Sequence, residues 1–336
     1  MYNRFLLKKL FIILVVGIIL NPGSGDTQNS DFTFALIGDI PRFGDAAIEP
    51  ELKPFLRLRS EINKSGVKFV IHDGDFKSGG SPCSDDEFYR WKTLIDTFEM
   101  PFFFINGDNE WTDCYTKKAG GYDPLERLAK LRELFYSTPT SLGKRTLRVE
   151  RQSDNPQEPR FGKYSDNFYW VYGNIMFVGL NVQGSNNNLG RTPRMDKEFN
   201  ERNDAVNAFM HDAFALAKKN KNLAIVITIQ ANPRFDRPKN DPKPDGYKDF
   251  RREIEVETLA FDGKPVILVH GDSHYFRIDK PMKSSKSKRR IENFTRVETF
   301  GTPDVHWLLV TVDYDNPNLF IFEPRIVREN IIDHSN

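Results

Sequence analysis

The sequence carries almost no net charge: 48 Lys and Arg stand against 47 Asp and Glu, leaving a formal +1 over 336 residues. A balance this close to neutral gives no general attraction to nucleic acid. Cysteine is nearly absent, with only Cys83 and Cys114, so the paired Cys-x-x-Cys spacing of a zinc ribbon cannot be built. No Walker glycine loop and no G-x-S-x-G elbow occurs, which removes P-loop and α/β-hydrolase chemistry. No internal repeat is evident. The apolar run Leu10–Leu20 (LFIILVVGIIL) is short for a bilayer span, which needs about 20 residues.

That run follows Arg4, Lys8 and Lys9 and precedes Gly23 and Gly25, the layout of a secretory signal peptide. Residues 1–25 read as the signal, 26–31 as a polar linker and 32–336 as a single domain. Cleavage would remove three basic residues and no acid, turning +1 into −2. The expectation is an exported protein, periplasmic or secreted, with no stable span in the mature chain; a retained N-terminal membrane anchor is the alternative. In an oxidising compartment Cys83 and Cys114 are expected to pair and tie two loops together. Two separate free thiols are the alternative.

What the chain does have is a recurring turn. Gly38-Asp39, Gly74-Asp75, Gly107-Asp108 and Gly271-Asp272 each close an apolar run. Apolar runs ending in glycine turns read as buried strands running into loops. A lone Gly-Asp pair is an ordinary turn; Gly25-Asp26 and Gly44-Asp45 are read that way. Four at one position relative to a strand gather carboxylates at the sheet edge where α/β proteins bind ligands. Such a cluster cannot stay fully ionised without a cation.

Around these turns, helix and strand signals alternate. Ser84 and Glu87 form a capping box before Phe88, Trp91, Ile95 and Phe98 on one face. Asp123-Pro124, with Glu126, opens a second helix. A third runs from Asp204 to Lys219. Residues 168–172 and 175–180 are strands joined by a tight turn at Gly173-Asn174, and 223–229, 266–270, 307–313 and 319–323 are further strands. The pattern predicts an α/β (α+β) fold with sheets sandwiched by helices. Lys283 to Arg290 (KSSKSKRR) reads as a solvated basic loop.

The strings LIGDIP (36–41), HDGDFKSGGSPCSD (72–85), INGDNEWTDC (105–114), ITIQANP (227–233), HGDSHYFRIDKP (270–281) and ENFTRVETFGTPDVHW (292–307) resemble the calcineurin-like metallophosphoesterases, in an exported bacterial branch with divergent motifs. The resemblance implies a four-layer αββα sandwich of two facing mixed sheets, with two divalent metal ions at the strand ends. It also implies a phosphate-ester substrate, either a small molecule or a headgroup, with no nucleic-acid partner indicated and the oligomeric state open. By resemblance, Asp39 is a ligand of one metal and Asp75 bridges both. Asp108 takes the place of an Asn ligand, Gln230 and Asp272 take the places of His ligands, and His274 keeps a His ligand. Pro41 stands where a further His belongs, and Asn109 replaces the His that contacts the leaving group.

These departures favour hard cations. The second metal would see Asp75, Asp108, Gln230 and Asp272, an all-oxygen set that suits Mg²⁺, Mn²⁺ or Ca²⁺. The first would keep Asp39, Asp75 and His274, suited to Mn²⁺ or Fe²⁺. With Asn109 at the catalytic position, His72 and His306 are the candidate acids. Lys77, Arg42 and the polar loop 183–188 are candidate substrate contacts. Two rivals remain: a metal- and phospholigand-binding protein that has lost catalysis, and a haloacid-dehalogenase-like phosphatase using Asp73. The latter wants an Asp where Phe276 stands and Thr or Val where Lys77 stands.

Overall fold

The computed structural model describes residues 30–41, 48–238 and 240–331. The proposed signal segment, most of the linker and Arg42 lie outside the described residues. Among the described residues no helix is long and apolar enough to cross a membrane.

Two sheets form the centre. The first runs β12-β11-β1-β2-β3, where β1 is Phe32–Ile37, β2 Val70–His72, β3 Phe102–Phe104, β11 Trp307–Val312 and β12 Phe320–Arg325. The second runs β4-β5-β6-β7-β8-β10-β9, where β4 is Glu150–Arg151, β5 Phe168–Tyr172, β6 Ile175–Gly179, β7 Ala224–Thr228, β8 Val266–His270, β9 Arg277–Asp279 and β10 Phe294–Glu298. Strands β1, β2 and β3 are mutually parallel, as are β6, β7 and β8.

Strand period and burial together explain the layering. Successive side chains point to opposite faces, and both faces are covered, so the runs are continuously apolar. In β3, Phe103 stacks on Trp170 of the second sheet with centroids 3.6 Å apart. Phe102 and Phe104 instead turn outward onto Phe98 and Phe135, at 4.8 and 5.2 Å. In β6, Phe177 faces Phe34 and Phe69 of the first sheet, while Met176 and Val178 join Val206, Met210 and Ile254 in a second core. Helices Ile48–Lys64, Asp85–Ile95 and Pro124–Phe135 share the core of the first sheet. Pro193–Lys219 and Lys248–Leu259 flank the second. This is the expected four-layer arrangement of helices around two mixed sheets. Each buried Phe contributes roughly 1.5–3 kcal/mol.

The local signals behave as their chemistry predicts. Ser84 caps its helix by accepting from the Glu87 amide, and Asp123 accepts from Leu125. Gly173 and Asn174 both adopt positive φ, 54° and 58°, as a two-residue hairpin requires. One helix differs: it begins at Pro193, not Asp204, capped by Thr192. Its first turns look polar because the buried face there includes Arg202 beside Met195 and Phe199. Cys83 and Cys114 form a disulfide with a Cα separation of 5.7 Å.

Candidate functional site

The parallel strands deliver the acids to one place. Asp39 follows β1, Asp75 follows β2 and Asp108 follows β3, so all three stand at the carboxyl edge of the first sheet. Gln230 follows β7 and Asp272 follows β8 at the same edge of the second. The edges meet directly: the Asp272 amide donates to Asp39 Oδ2 at 2.9 Å. A Cβ placed on Gly184 would stand 2.6 Å from both Asp108 Oδ2 and Asp272 Oδ1, so only glycine fits between those carboxylates.

The turns hold their side chains in an uncommon backbone state. Asp39, Asp75, Asp272 and His274 have φ of 52°, 59°, 74° and 54°. Left-handed backbone is tolerated best by Gly, Asn and Asp and is concentrated at functional sites.

Burial and mutual repulsion dominate the electrostatics. Asp39 is pushed well above the usual carboxylate range by burial, then by the charges of Asp73 and Asp272. Asp75 rises likewise by burial, then by Asp108 and Glu110. Burial, with Asp272 next, pushes Asp108 up to about 7, and burial also carries Glu110 to about 7 against the pull of Lys77. Burial raises Asp272 too, although His274 opposes it. Acids in this condition favour either protons or cations.

The donor chemistry fits divalent cations. His274 Nδ1 lies 2.6 Å from the Thr302 carbonyl, so that nitrogen carries a proton, and in the neutral ring Nε2 holds the lone pair, the tautomer of a metal ligand. Nε2 stands 3.6 Å from Asp39 Oδ1, a buried oxygen without a hydrogen-bond partner. Two ligands each about 2.1 Å from one ion lie roughly 3–4 Å apart. Among the described residues, no three Asp, Glu, His or Cys side chains close, as they stand, into a finished cage. The carboxylates instead lean on neighbouring N–H groups: Asp75 accepts from the Asn109 amide at 3.2 Å and from its Nδ2 at 2.8 Å, and Asp272 accepts from the Asn232 amide at 3.2 Å.

Asp39, Asp75, Asp108, Asp272 and His274 are thus brought together, and Gln230 borders them. The candidate acids are not. His72 is fully buried, with Nε2 on the Ile40 carbonyl and Nδ1 accepting from the Gly74 amide. Burial lowers its pKa to about 4, so it is a core residue with no proton to offer. His306 lies edge-on to Phe300, and its charged neighbours are Asp304 and Glu61, not the cluster. Asn109 spends its amide on Asp75 and is a clamp, not an acid. Lys77 is buried, donating to the carbonyls of Ser78 and Asn109, which removes it as a phosphate contact. Both disulfide sulfurs lie near the same Asn109 carbonyl, at 3.5 and 3.7 Å.

Sequence reasoning missed several supports. Glu110 accepts the amides of Asp75, Phe76 and Gly107, locking two site loops together; its signal was its place directly after Asp108-Asn109. Asp73 lies buried behind Asp39, held by Thr299, which also rules it out as an exposed nucleophile. Arg202 is fully buried and grips the 183–188 loop through Asn187 Oδ1 at 2.6 Å and the Asn187 carbonyl at 3.0 Å. Its signal was a cation on the apolar stripe of its helix. A cavity of about 640 Å³, lined by Gln152, Tyr169, Phe209 and Lys219 among others, shares no residue with the acid cluster.

The calcineurin-like phosphoesterase family profile matches residues 32–276. The chain belongs to this family. No curated protein matches the sequence. Among solved structures this calcineurin-like phosphoesterase is similar to PhoD, with 13% identity, TM-score 0.52, and coverage of 88% of this chain and 68% of that one. It is similar to the purple acid phosphatase PPD1 from yellow lupin (Lupinus luteus) seeds, at 13% and 0.51, covering 91% and 53% of the two chains. A 5′-nucleotidase from Candida albicans shares 10% identity at TM-score 0.50, covering 89% and 52%. Identities this low speak for the fold.

Proposed function

We propose that the chain is a metal-dependent phosphoesterase holding two divalent cations between Asp39, Asp75, Asp108, Asp272 and His274. Mn²⁺ or Mg²⁺ suit this donor set best, with Ca²⁺ or Fe²⁺ also compatible. The substrate is a phosphate ester of a small molecule or headgroup. The observation that carries this reading is the meeting of three buried carboxylates, Asp39, Asp75 and Asp108, and the half-buried Asp272 with the His274 ring that Thr302 orients. Solved structures of the same fold named a phosphatase and a nucleotidase agree with ester hydrolysis.

When bound, such cations supply Lewis acidity and an activated water at neutral pH. The protein's own part is to hold and orient. Asn109 fixes Asp75 through two hydrogen bonds, Thr302 fixes the His274 ring, and Glu110 fixes the loops that carry Asp75 and Asp108. Among the described residues no histidine stands ready to protonate a departing alkoxide. General-acid help is worth about 10²–10⁴-fold, so esters with good leaving groups are the favoured substrates.

The Asn109 clamp also favours a second reading, a binding protein for metal and phospholigand with catalysis lost. Purified protein with Mn²⁺ or Mg²⁺, assayed on 4-nitrophenyl phosphate and its bis ester, separates the two. Turnover lost in Asp75→Asn supports the enzyme; cation binding without turnover on either ester supports the binder. We place the protein outside the cytoplasm, periplasmic or secreted, a reading supported by the Cys83–Cys114 disulfide, since such bonds persist in oxidising compartments.

A further inference from the structure

We infer that Gln230 serves this site as a hydrogen-bond donor to a bound phosphoryl oxygen, not as an oxygen ligand to a cation; the inference rests on the phosphoesterase reading. Gln230 is fully buried just past β7. Its Oε1 accepts the Gly184 amide at 2.5 Å. A backbone N–H only donates, so this bond fixes which way the carboxamide faces. Nε2 must then point away from Gly184, and it has no hydrogen-bond partner. The Gln230 side chain reaches Asp272 and favours that carboxylate's charged form as a hydrogen-bonding neighbour, but the geometry of a good hydrogen bond is not met. A Cβ on Gly184 would meet Asp108 and Asp272, and the Gln230 side chain neighbours Asp272, so the carboxamide borders the acid cluster.

An amide nitrogen has no lone pair to offer a metal, and a buried donor without a well-placed acceptor is a costly thing to keep. A tetrahedral phosphoryl group supplies acceptor oxygens at that place. A neutral carboxamide can hold one without competing with the cations for the carboxylates, as a lysine there would. Gln230 is therefore a residue that reads the anion, next to residues that hold the metal.

The test uses the full-length protein loaded with Mn²⁺, with inorganic phosphate as the probe and calorimetry as the readout. In Gln230→Met, Mn²⁺ stoichiometry and affinity stay within about threefold of wild type while phosphate binds about tenfold or more weakly, the scale of a hydrogen bond to a charged group. Loss of a Mn²⁺ equivalent, or unchanged phosphate affinity, overturns the donor role. Should the variant fail to fold, the wild-type Mg²⁺ form decides: the side-chain amide resonances of Gln230 shift on adding phosphate, and resonances that do not move overturn the inference. A wild type that takes up no divalent cation sinks the phosphoesterase reading beneath it. A wild type that binds cation and phosphate, with Gln230→Met indistinguishable from it, sinks only the role of Gln230.

Discussion

The imidazole Nε2 of His274 stands 3.6 Å from Oδ1 of Asp39, although 235 residues separate them in the chain. The pair is set by backbone on both sides. Thr302 takes the ring's Nδ1 proton, and the Asp272 amide takes the other oxygen of Asp39. Gly301 lets the two approach: a Cβ there would stand 2.7 Å from His274 Cγ and 2.9 Å from Asp39 Cβ. Gly301→Ala is expected to spread the pair and weaken Mn²⁺ binding by about 10–100-fold, the usual effect of disturbing what orients a ligand. Titration calorimetry on the variant and wild type checks this, with circular dichroism confirming that the variant is folded.

Stability should depend on pH in the direction set by the crowded acids. In the folded protein Asp108 and Glu110 hold protons to about 7, and burial with like charges raises Asp39, Asp75 and Asp272 as well. The unfolded chain releases those protons near its ordinary pKa, about 4. Between those limits the folded state binds more protons, so stability falls as pH rises. Metal-free protein is therefore expected to melt several degrees lower at pH 8 than at pH 5. Mn²⁺ should stabilise it most at pH 8 and little at pH 5. Thermal melts with and without the ion measure both.

Glu110 shows what could and could not be read in advance. The string GDNE placed it beside the site, yet nothing in the sequence says that its carboxylate would take three backbone amides from two different loops. Removing it leaves buried donors unpaired, at about 1–3 kcal/mol each. Glu110→Ala is expected to lose at least about 3 kcal/mol in urea unfolding, and Glu110→Gln distinctly less because one acceptor oxygen remains.

The disulfide brackets the same loops. Its sulfurs border the Asn109 carbonyl, and Asn109 clamps Asp75. Replacing both cysteines by serine is expected to cost roughly 3–4 kcal/mol. It should also loosen the Asn109 clamp, so Mn²⁺ affinity falls together with the urea midpoint. Denaturant unfolding and calorimetry on the double variant test the two halves of that expectation.

The legible parts of the molecule were those written in local chemistry. Continuous apolar runs marked most strands of both sheets but not β4, β9 and β10; Ser84 and Asp123 marked two helix starts, and the Gly-Asp turns marked the four acids. What stayed hidden depends on partners far away in the chain. His72 looked available beside Asp75, but strand alternation turns it onto Trp91, at 5.2 Å between rings, away from the cluster. Lys77 looked like a phosphate contact because a cation near a strand end usually is exposed; here two carbonyls bury it. The start of the helix at Pro193 was masked by polar residues, one of which, Arg202, is spent inward on Asn187 and Glu198.

The most direct test of the account is a titration of the metal-free protein with Mn²⁺, alongside Asp75→Asn. The account predicts two ions bound per wild-type chain and a marked loss of binding in the variant, because Asp75 feels the charges of Asp108, Asp39 and Asp272 at once. Wild-type protein that binds no Mn²⁺ or Mg²⁺ at millimolar concentration, and melts at the same temperature with and without them, would contradict it.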